Sequence, residues 1–194
     1  MPTPDNPTTD KKIAVLIAEG LEEVEALAVV DVVFRAGIRA ELIAVGDSLT
    51  VTSSHKVVLT CEALLSEVDL DDYDMVFLPG GIPGTPNLKA VPAVTDEVTA
   101  RVQAGRPVAA ICAAPSILAE LGLLQGRDAT SNPNFMGVLA EHGARTSQAA
   151  VVVDDQLLTS RGMGTAIELG LEIVRHYLGD DAVDAVKRGI VYQH

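Results

Sequence analysis

The chain has 194 residues, of which 48% are hydrophobic, so it is long and apolar enough for a full core and is not a mainly disordered chain. Its 14 basic and 27 acidic residues give a formal net charge of −13, which argues against nucleic acid and anionic membrane surfaces as partners, because phosphate binding needs a basic face. Two cysteines, no apolar stretch of membrane-spanning length and no signal-peptide pattern predict a cytoplasmic protein without a disulfide framework.

Residues 1–11 contain three prolines and are predicted to be a flexible tail, followed by one domain over residues 12–194. From residue 13 onward, apolar runs of strand length alternate with amphipathic segments of helix length. Predicted strands cover 13–18, 40–45, 75–78 and 108–112, and predicted helices cover 21–36, 63–68, 91–104, 116–121, 166–178 and 181–188. An extended pair is expected over 51–61 and a hairpin over 149–159. This alternation predicts a doubly wound α/β fold, with a mostly parallel sheet between two helical layers.

Thr165 and Glu168 have the spacing of a capping box, which predicts that they open the helix over 166–178. Gly179 follows the last apolar position of that helix and is predicted to end it.

Cys112 lies where an apolar strand pattern stops and a helix pattern begins. A thiol in that position faces backbone N–H groups and the positive end of the following helix, which would lower its pKa and make it reactive. The small residues Ala110 and Ala114 allow the sharp turn that a nucleophile at a strand end requires. The alternative interpretation is a small buried hydrophobic residue, the usual place of a free cysteine.

Glu25 falls in the apolar stripe of the first predicted helix, in line with Ala28, Val29 and Val32. Burial among apolar side chains would raise the pKa of its carboxyl, which could then act as a general acid or base. The alternative is that acidic residues are simply favoured at a helix start, and this explanation is preferred for Glu22 and Glu23.

The same helix is apolar around most of its circumference. Val24, Leu27, Val30 and Phe34 lie outside the stripe that contains Glu25, and one face of a sheet cannot cover them all. The pattern therefore predicts a homodimer that associates through the helix over residues 21–36.

Further candidate site residues follow two other predicted strands. Gly80 and Gly81 allow close backbone approach and offer N–H donors for a developing oxyanion, although a Gly-Gly pair is often only a tight turn. Arg161 is a possible anion ligand, although structural ion pairs are the commoner role of such a residue. The histidines lack metal-ligand spacing and no cofactor-binding motif occurs, so neither a metal nor a cofactor is expected.

Four segments in order resemble the ThiJ/PfpI superfamily, and most of all its branch of parkinsonism-associated protein deglycases and their bacterial homologues. They are AEGLEEVE at 18–25, LPGG at 78–81, AICAAP at 110–115 and LTSRG at 158–162. The resemblance extends from about residue 13 to residue 178. It implies a flavodoxin-like sandwich, a homodimer and a cysteine on a strained turn.

The resemblance also implies roles for particular residues. Cys112 would be the nucleophile and the oxidation-sensitive thiol, Glu25 the protonated glutamate beside it, and Gly80 and Gly81 the oxyanion site. Members of the superfamily are described as glyoxalases or deglycases acting on α-oxoaldehydes, as oxidative-stress sensors, as chaperones and, in one branch, as peptidases.

Three positions depart from the pattern of the superfamily. The peptidase branch has histidine directly after the cysteine, where this chain has Ala113, and many deglycase-like members have histidine where this chain has Asn132. Without these histidines the sequence does not predict a Cys-His dyad, so peptidase activity is not expected, although Asn132 could still bind a substrate or an oxidised sulfur. Met163 replaces a frequent proline, a change expected to be mild.

Two functions follow as hypotheses. The first is a cysteine-dependent enzyme acting on a small-molecule aldehyde, with Cys112 as nucleophile, Glu25 as proton shuttle and the backbone of Gly80, Gly81 and Ala113 near the reacting oxygen. The second is a redox sensor or chaperone without turnover, whose Cys112 is oxidised to a stabilised sulfinate.

Overall fold

The computed structural model describes residues 7–193, and within that range the chain forms one seven-stranded sheet and two strand pairs. The strands are β1 (Lys12–Ile17), β2 (Arg39–Ala44), β3 (Thr50–Thr52), β4 (Val58–Thr60), β5 (Ala63–Leu64), β6 (Met75–Leu78), β7 (Val108–Ile111), β8 (Asp128–Ala129), β9 (Arg145–Thr146), β10 (Val151–Asp154) and β11 (Leu157–Ser160).

The α-helices are α1 (Glu23–Arg35), α2 (Gly84–Lys89), α3 (Pro92–Gln103), α4 (Pro115–Glu120), α5 (Met136–Glu141), α6 (Ala166–Leu178) and α7 (Asp180–Gly189). Short 3-10 turns cover Leu65–Glu67, Leu70–Asp72, Pro133–Phe135 and Met163–Thr165.

The large sheet has the strand order β10-β11-β7-β6-β1-β2-β5, and every pairing in it is parallel except that of β10 with β11. The two strand pairs are β3 with β4, which is antiparallel, and β8 with β9, which is parallel. The predicted fold class, a flavodoxin-like α/β sandwich with a mostly parallel sheet, is confirmed.

Two apolar clusters cover the two faces of the sheet, as parallel sheets require. One cluster joins α1, α6 and α7 to alternate residues of β1, such as Val15 and Ile17. The other joins α3, α4 and α5 to the intervening residues, such as Ala14 and Leu16. The core contains few aromatic side chains, which agrees with an aromatic content of 3%.

Helix α1 packs against α6 of the same chain, and this contact corrects part of the sequence interpretation. A Cβ atom on Gly170 of α6 would lie 2.8 Å from the Cβ of Val32, so the two helices approach closely. Val30, which the sequence left uncovered, is only 5% exposed, whereas Val24 and Leu27 remain 42% and 36% exposed. The chain itself therefore buries part of the apolar surface that was assigned to a partner subunit, and the homodimer through the helix over residues 21–36 stays a prediction.

Three local predictions are wrong. The segment 63–68 is a strand end followed by a 3-10 turn, because Ala63 and Leu64 pair with the edge of β2. Helices α2 and α5 were not predicted, since each has only six residues and contains glycine. Thr165 does not cap α6, because its hydroxyl bonds the preceding loop instead.

Part of the predicted tail, residues 1–6, lies outside the described residues. Residues 7–11 lie against the rest of the protein, where the hydroxyl of Thr8 donates to the carbonyl of Ala36 at 2.6 Å and Lys11 pairs with Asp74 at 2.6 Å. None of the helices between residues 7 and 193 is both long enough and apolar enough to cross a bilayer.

Candidate active site

The predicted site residues meet at the carboxyl ends of four neighbouring strands. Strands β11, β7, β6 and β1 lie side by side, and the segments that follow them carry all the candidate residues except Asn132. Ligands in open α/β sheets bind at this edge. The strands that precede Glu25, Gly80 and Cys112 are neighbours, because β1 pairs with β6 and β6 pairs with β7.

Cys112 occupies a sharp, strained turn directly after β7. Its φ is +63°, in the left-handed region that residues other than glycine rarely adopt. Two hydrogen bonds hold it there: its amide donates to the carbonyl of Ser160 at 3.0 Å, and its own carbonyl accepts from the amide of Asn132 at 2.9 Å. The side chain is half-buried. Backbone strain that is fixed in this way is typical of functional positions.

Glu25 lies in the first turn of α1 and points into the protein. The residue is only 1% exposed, and its Oε2 accepts the amide of Gly80 at 3.0 Å. Its carboxyl also hydrogen-bonds the thiol of Cys112 and faces the amide of Met163. Burial, reinforced by the charge of Glu22, outweighs these hydrogen bonds and raises the pKa of Glu25 to about 7. The expectation of a buried carboxyl with a raised pKa is thus supported.

The Cys112 thiol does not have the lowered pKa that its position suggested. Burial, followed by the charge of the Glu25 carboxylate, raises its pKa to about 12, although the amides of Ala113 and Gly81 act in the opposite direction. Helix α4, which was expected to lower the pKa, has only six residues. Burial and a neighbouring negative charge therefore outweigh the weak field of a short helix.

Cys112 and Glu25 titrate as a pair. Once Glu25 has ionised at a pH of about 7, the thiol keeps its proton because two adjacent negative charges repel each other. A thiolate forms near neutral pH only when the shared proton resides on Glu25. The reactive form is therefore the arrangement in which a protonated carboxyl donates to the sulfur.

The two glycines after β6 have different roles. Gly80 was expected to supply an oxyanion donor, but its amide is already bonded to Glu25. A Cβ at Gly80 would lie 2.6 Å from the Cβ of Cys112 and 2.6 Å from Oε2 of Glu25, so glycine is needed there for close packing. The amides of Gly81 and Ala113 face the sulfur, which makes them the available donors for an oxyanion.

A cavity of 310 Å³ opens beside this pair, between the loop after β11 and the segment that precedes α5. Asn132, Arg161, Gly162 and Met163 are among its lining residues. A Cβ on Gly162 would lie 3.9 Å from the sulfur of Cys112 and 3.8 Å from the side-chain nitrogen of Asn132. Cys112 and Glu25 are not among the cavity's lining residues, so Gly162 separates the cavity from the sulfur. A larger cavity of 440 Å³ is lined by Arg35 and by residues of α7.

Asn132 and Arg161 both line the cavity beside Gly162. The side-chain oxygen of Asn132 accepts from the amide of Asn134 at 3.1 Å, which leaves its NH₂ group as the donor near Gly162. Arg161 donates from Nη1 to the carbonyl of Gln148 at 3.2 Å, and its buried Nε has no hydrogen-bond partner. The anion-binding role of Arg161 stays a prediction.

The three histidines between residues 7 and 193 contact residues other than Cys112 and Glu25. His55 pairs through Nδ1 with Glu23 at 3.2 Å and with Glu22 at 3.4 Å. His142 bonds the carbonyl of Val138, and the ring of His176 lies edge-on against Tyr177. In the part of the chain that the structure describes, each of these three rings has its partner outside the Cys112–Glu25 pair.

Two hydroxyl residues and one amide lie at the site although the sequence did not indicate them. Ser160 is fully buried at the end of β11. The hydroxyl of Thr165 accepts from the amide of Arg161 in the loop that follows β11, and the Met163 amide faces Glu25. The position of Ser160 at a strand end was the one available signal. Backbone amides carry no sequence signal, and the spacing of Thr165 to Glu168 favoured a different role for the threonine.

Comparison with known proteins agrees with this geometry. Residues 11–176 match the model of the DJ-1/PfpI family. The chain is 34% identical over 181 residues to protein dj-1beta of Drosophila melanogaster, covering 93% of this chain and 97% of that protein. It is 37% identical to protein DJ-1 homolog B of Arabidopsis thaliana. That match covers 87% of this chain but only 38% of the length of the Arabidopsis protein.

Solved structures show the same fold. The crystal structure of Drosophila melanogaster DJ-1beta superposes with a TM-score of 0.90 at 33% identity, covering 96% of this chain and all of that one. Oxidised DJ-1 of Toxoplasma gondii superposes with a TM-score of 0.88 at 30% identity, covering 95% of this chain and all of that one. The strained cysteine, its buried glutamate and these similarities over nearly the whole length lead to one conclusion: the chain belongs to the DJ-1/PfpI family.

Proposed function

We propose that the protein is a cysteine-dependent glyoxalase- or deglycase-like enzyme that acts on small α-oxoaldehydes or their adducts. The observation that carries the proposal is the buried carboxyl of Glu25 hydrogen-bonded to the thiol of Cys112 on a strained strand end. A relative at 28% identity, covering 90% of this chain and 92% of that protein, is named glutathione-independent glyoxalase DJR-1.2 of Caenorhabditis elegans.

The chemistry needs no oxidant, because an α-oxoaldehyde and water together have the composition of a 2-hydroxy acid. The sulfur of Cys112 adds to the aldehyde carbon, and the thiol proton passes through Glu25 to the aldehyde oxygen, which gives a hemithioacetal. Glu25 then removes the proton from that carbon while the neighbouring carbonyl oxygen gains a proton, which gives an enediol. The neighbouring carbon next gains a proton while the hydroxyl formed from the aldehyde loses its own, which gives a thioester of the 2-hydroxy acid. Water hydrolyses the thioester and restores the thiol.

The pair supplies the proton transfers at neutral pH. With a pKa of about 7, Glu25 is present both as acid and as base near pH 7, which is the condition for efficient general acid-base catalysis. The amides of Gly81 and Ala113 face the sulfur and are the donors for the oxygen that becomes negative during the addition. The NH₂ group of Asn132 is a further donor at the wall of the cavity.

The cavity favours a small substrate. Its volume of 310 Å³ lies at the lower end of ligand-binding cavities. Cleavage of a peptide bond is not part of the proposal, because protonation of an amine leaving group calls for a group such as the histidine that Ala113 and Asn132 replace.

The test follows the loss of methylglyoxal and the formation of lactate by the full chain. We expect wild type and Cys61→Ser to react equally, because Cys61 is buried and its pKa is raised to about 11 by its own burial. Cys112→Ser should abolish turnover, and Glu25→Gln should lower it at least 100-fold, the usual range for a lost general base. A wild-type rate no higher than that of Cys112→Ser would overturn the proposal.

A redox-sensing role is the second candidate, favoured by the half-buried position of Cys112 beside a carboxyl that can donate to an oxidised sulfur. Two equivalents of peroxide would convert the thiol to a sulfinate with release of two waters. Peptide mass spectra after mild peroxide treatment should show two added oxygens on Cys112 and none on Cys61. Preferential oxidation of Cys61 would contradict this role.

A further inference from the structure

The cavity of 310 Å³ beside Gly162 is lined by an arginine and an asparagine and, among the described residues, by no acidic side chain. Its lining consists of Asn132, Pro133, Arg161 and residues 162–165. Helix α6 begins at Ala166, directly after this lining, so the positive end of the helix dipole lies next to the cavity. The chain as a whole carries a net charge of −13. The cavity therefore differs in sign from the rest of the molecule, which favours an anionic ligand.

The guanidinium of Arg161 has an unused edge. Within residues 7–193 its hydrogen bond runs from Nη1 to the carbonyl of Gln148 at 3.2 Å, whereas Nε is buried without a partner. Nε and Nη2 form the edge of a guanidinium whose two parallel N–H groups match the oxygens of a carboxylate or a phosphate. A buried donor without an acceptor costs free energy, and an oxyanion on this edge would remove that cost.

Arg161 also lacks the carboxylate partner that arginines have elsewhere in this protein. Every other arginine between residues 7 and 193 except Arg188 forms an ion pair with an aspartate or a glutamate. Arg188 lies on α7 and is exposed, so water solvates its charge. Arg161 is half-buried and has a cavity where the others have a carboxylate.

Asn132 adds a second donor to the same cavity. Its side-chain oxygen accepts from the amide of Asn134 at 3.1 Å, so the NH₂ group is the part that remains for a ligand. A Cβ on Gly162 would lie 3.8 Å from that nitrogen and 3.9 Å from the sulfur of Cys112. The NH₂ group and the sulfur are therefore both close to the same side of Gly162.

We propose that this cavity is a binding site for a carboxylate or phosphate group, held by the Nε–Nη2 edge of Arg161 and by the NH₂ group of Asn132. The inference goes beyond the proposed function, because binding of the anion requires no turnover at Cys112. Both groups present paired oxygens to the guanidinium, so separate titrations decide which of the two the cavity takes.

The experiment titrates the full ¹⁵N-labelled chain with inorganic phosphate and, separately, with lactate. NMR follows the Nε–H signal of Arg161 and the side-chain NH₂ signal of Asn132. Both signals should shift along one saturation curve with at least one of the anions, and potassium chloride at equal ionic strength should not reproduce the shifts. Saturation by lactate alone identifies a carboxylate site, and saturation by phosphate alone identifies a phosphate site. Shifts that do not saturate with either anion, or that chloride reproduces, would overturn the inference.

A pair of arginine variants separates this site from the general charge of the protein. Arg161→Gln removes the guanidinium and should weaken binding, read at the Asn132 signal, by about 10-fold or more, as expected for a hydrogen bond to a charged group. Arg188→Gln makes the same change of charge at an exposed arginine and should leave the affinity unchanged. Equal weakening by the two variants would count against the site.

Asn132→Asp stays informative if Arg161→Gln does not fold. The carboxylate of this variant still accepts from the amide of Asn134, but it replaces the NH₂ donor with a negative oxygen that repels an anion. Binding read at the Arg161 signal should therefore be lost. Asn134→Asp adds the same charge at an exposed neighbour and should bind far more tightly than Asn132→Asp.

Two outcomes separate this inference from the proposed function. Anion binding that is unchanged in Asn132→Asp would show that the NH₂ group is not a ligand and would overturn the inference. Absence of methylglyoxal turnover in wild type would instead overturn the proposed function and leave the titrations in place.

Discussion

At the scale of single residues, the candidate site depends on a balance of opposing terms around one carboxyl and one thiol. Burial raises the pKa of Glu25, and the amides of Gly80 and Met163 together with the thiol lower it again. The pKa of the neighbouring Cys112 thiol is raised by burial and by the charge of Glu25. The proton therefore stays with the pair over a wide pH range, and Cys112 reacts only in partnership with Glu25.

Glu25 should make the stability of the protein depend on pH. In the unfolded chain its carboxyl ionises near 4.5, whereas in the folded protein it ionises at about 7. The folded state therefore loses stability as the pH rises from 4.5 to 7, by roughly 3 kcal/mol when the shift is complete.

A glutamine side chain cannot ionise, so the Glu25→Gln variant should not show this loss of stability as the pH rises. Denaturant unfolding at several pH values should show that the stability of the variant relative to wild type increases between about pH 4 and pH 8 by roughly 3 kcal/mol. A stability difference that is independent of pH would contradict the raised pKa of Glu25.

At the scale of secondary-structure elements, the contact between α1 and α6 fixes the helix that carries Glu25. Gly170 lies against Val32, and a Cβ at Gly170 would come within 2.8 Å of the Cβ of Val32. That distance is shorter than side chains tolerate, and the Cβ of a buried valine cannot move aside without moving the helix. Glycine at this position of α6 therefore permits the close approach of the two helices.

Gly170→Ala should destabilise the protein by about 1–3 kcal/mol, the cost of overpacking, despite the better helix propensity of alanine. Adding Val32→Gly, which removes the Cβ itself, should relieve the overlap, so that the double variant is more stable than the sum of the two single effects predicts. Gly137→Ala in α5, where a Cβ has no neighbour within 4 Å, is the matched control and should stabilise by about 0.5–1 kcal/mol. Additive effects in thermal unfolding would argue against the close contact.

At the scale of the whole molecule, the apolar side chains of α1 that remain exposed are the surface through which the predicted homodimer would form. Val24 and Leu27 are exposed in the first half of the helix, whereas Val32 lies against Gly170 of α6. The predicted homodimer through the helix over residues 21–36 therefore needs a smaller contact on α1 than the sequence suggested. The net charge of −13 still argues against partners with anionic surfaces.

Leu27→Glu should weaken this homodimer. A charge on a desolvated face costs binding free energy, so light scattering coupled to size-exclusion chromatography should show a shift from twice the chain mass toward the mass of one chain. Leu121→Glu is the matched control, because Leu121 is 37% exposed against 36% for Leu27 and lies next to α4. The predicted interface would be wrong if wild type elutes as one chain, or if both variants behave alike.

The sequence alone determined the alternation of strands and helices, the parallel sheet, the place of Cys112 at a strand end and the burial of Glu25, because each follows from local periodicity. The tertiary structure decided that the Gly80 amide bonds Glu25 while Gly81 and Ala113 face the sulfur, that Thr165 bonds the loop after β11 without capping α6, and that α6 packs closely against α1. It also reversed the expected direction of the Cys112 pKa shift. These outcomes depend on contacts between residues far apart in the chain, such as Glu25 and Gly80, which are 55 positions apart. Local sequence patterns do not show which distant residues come into contact.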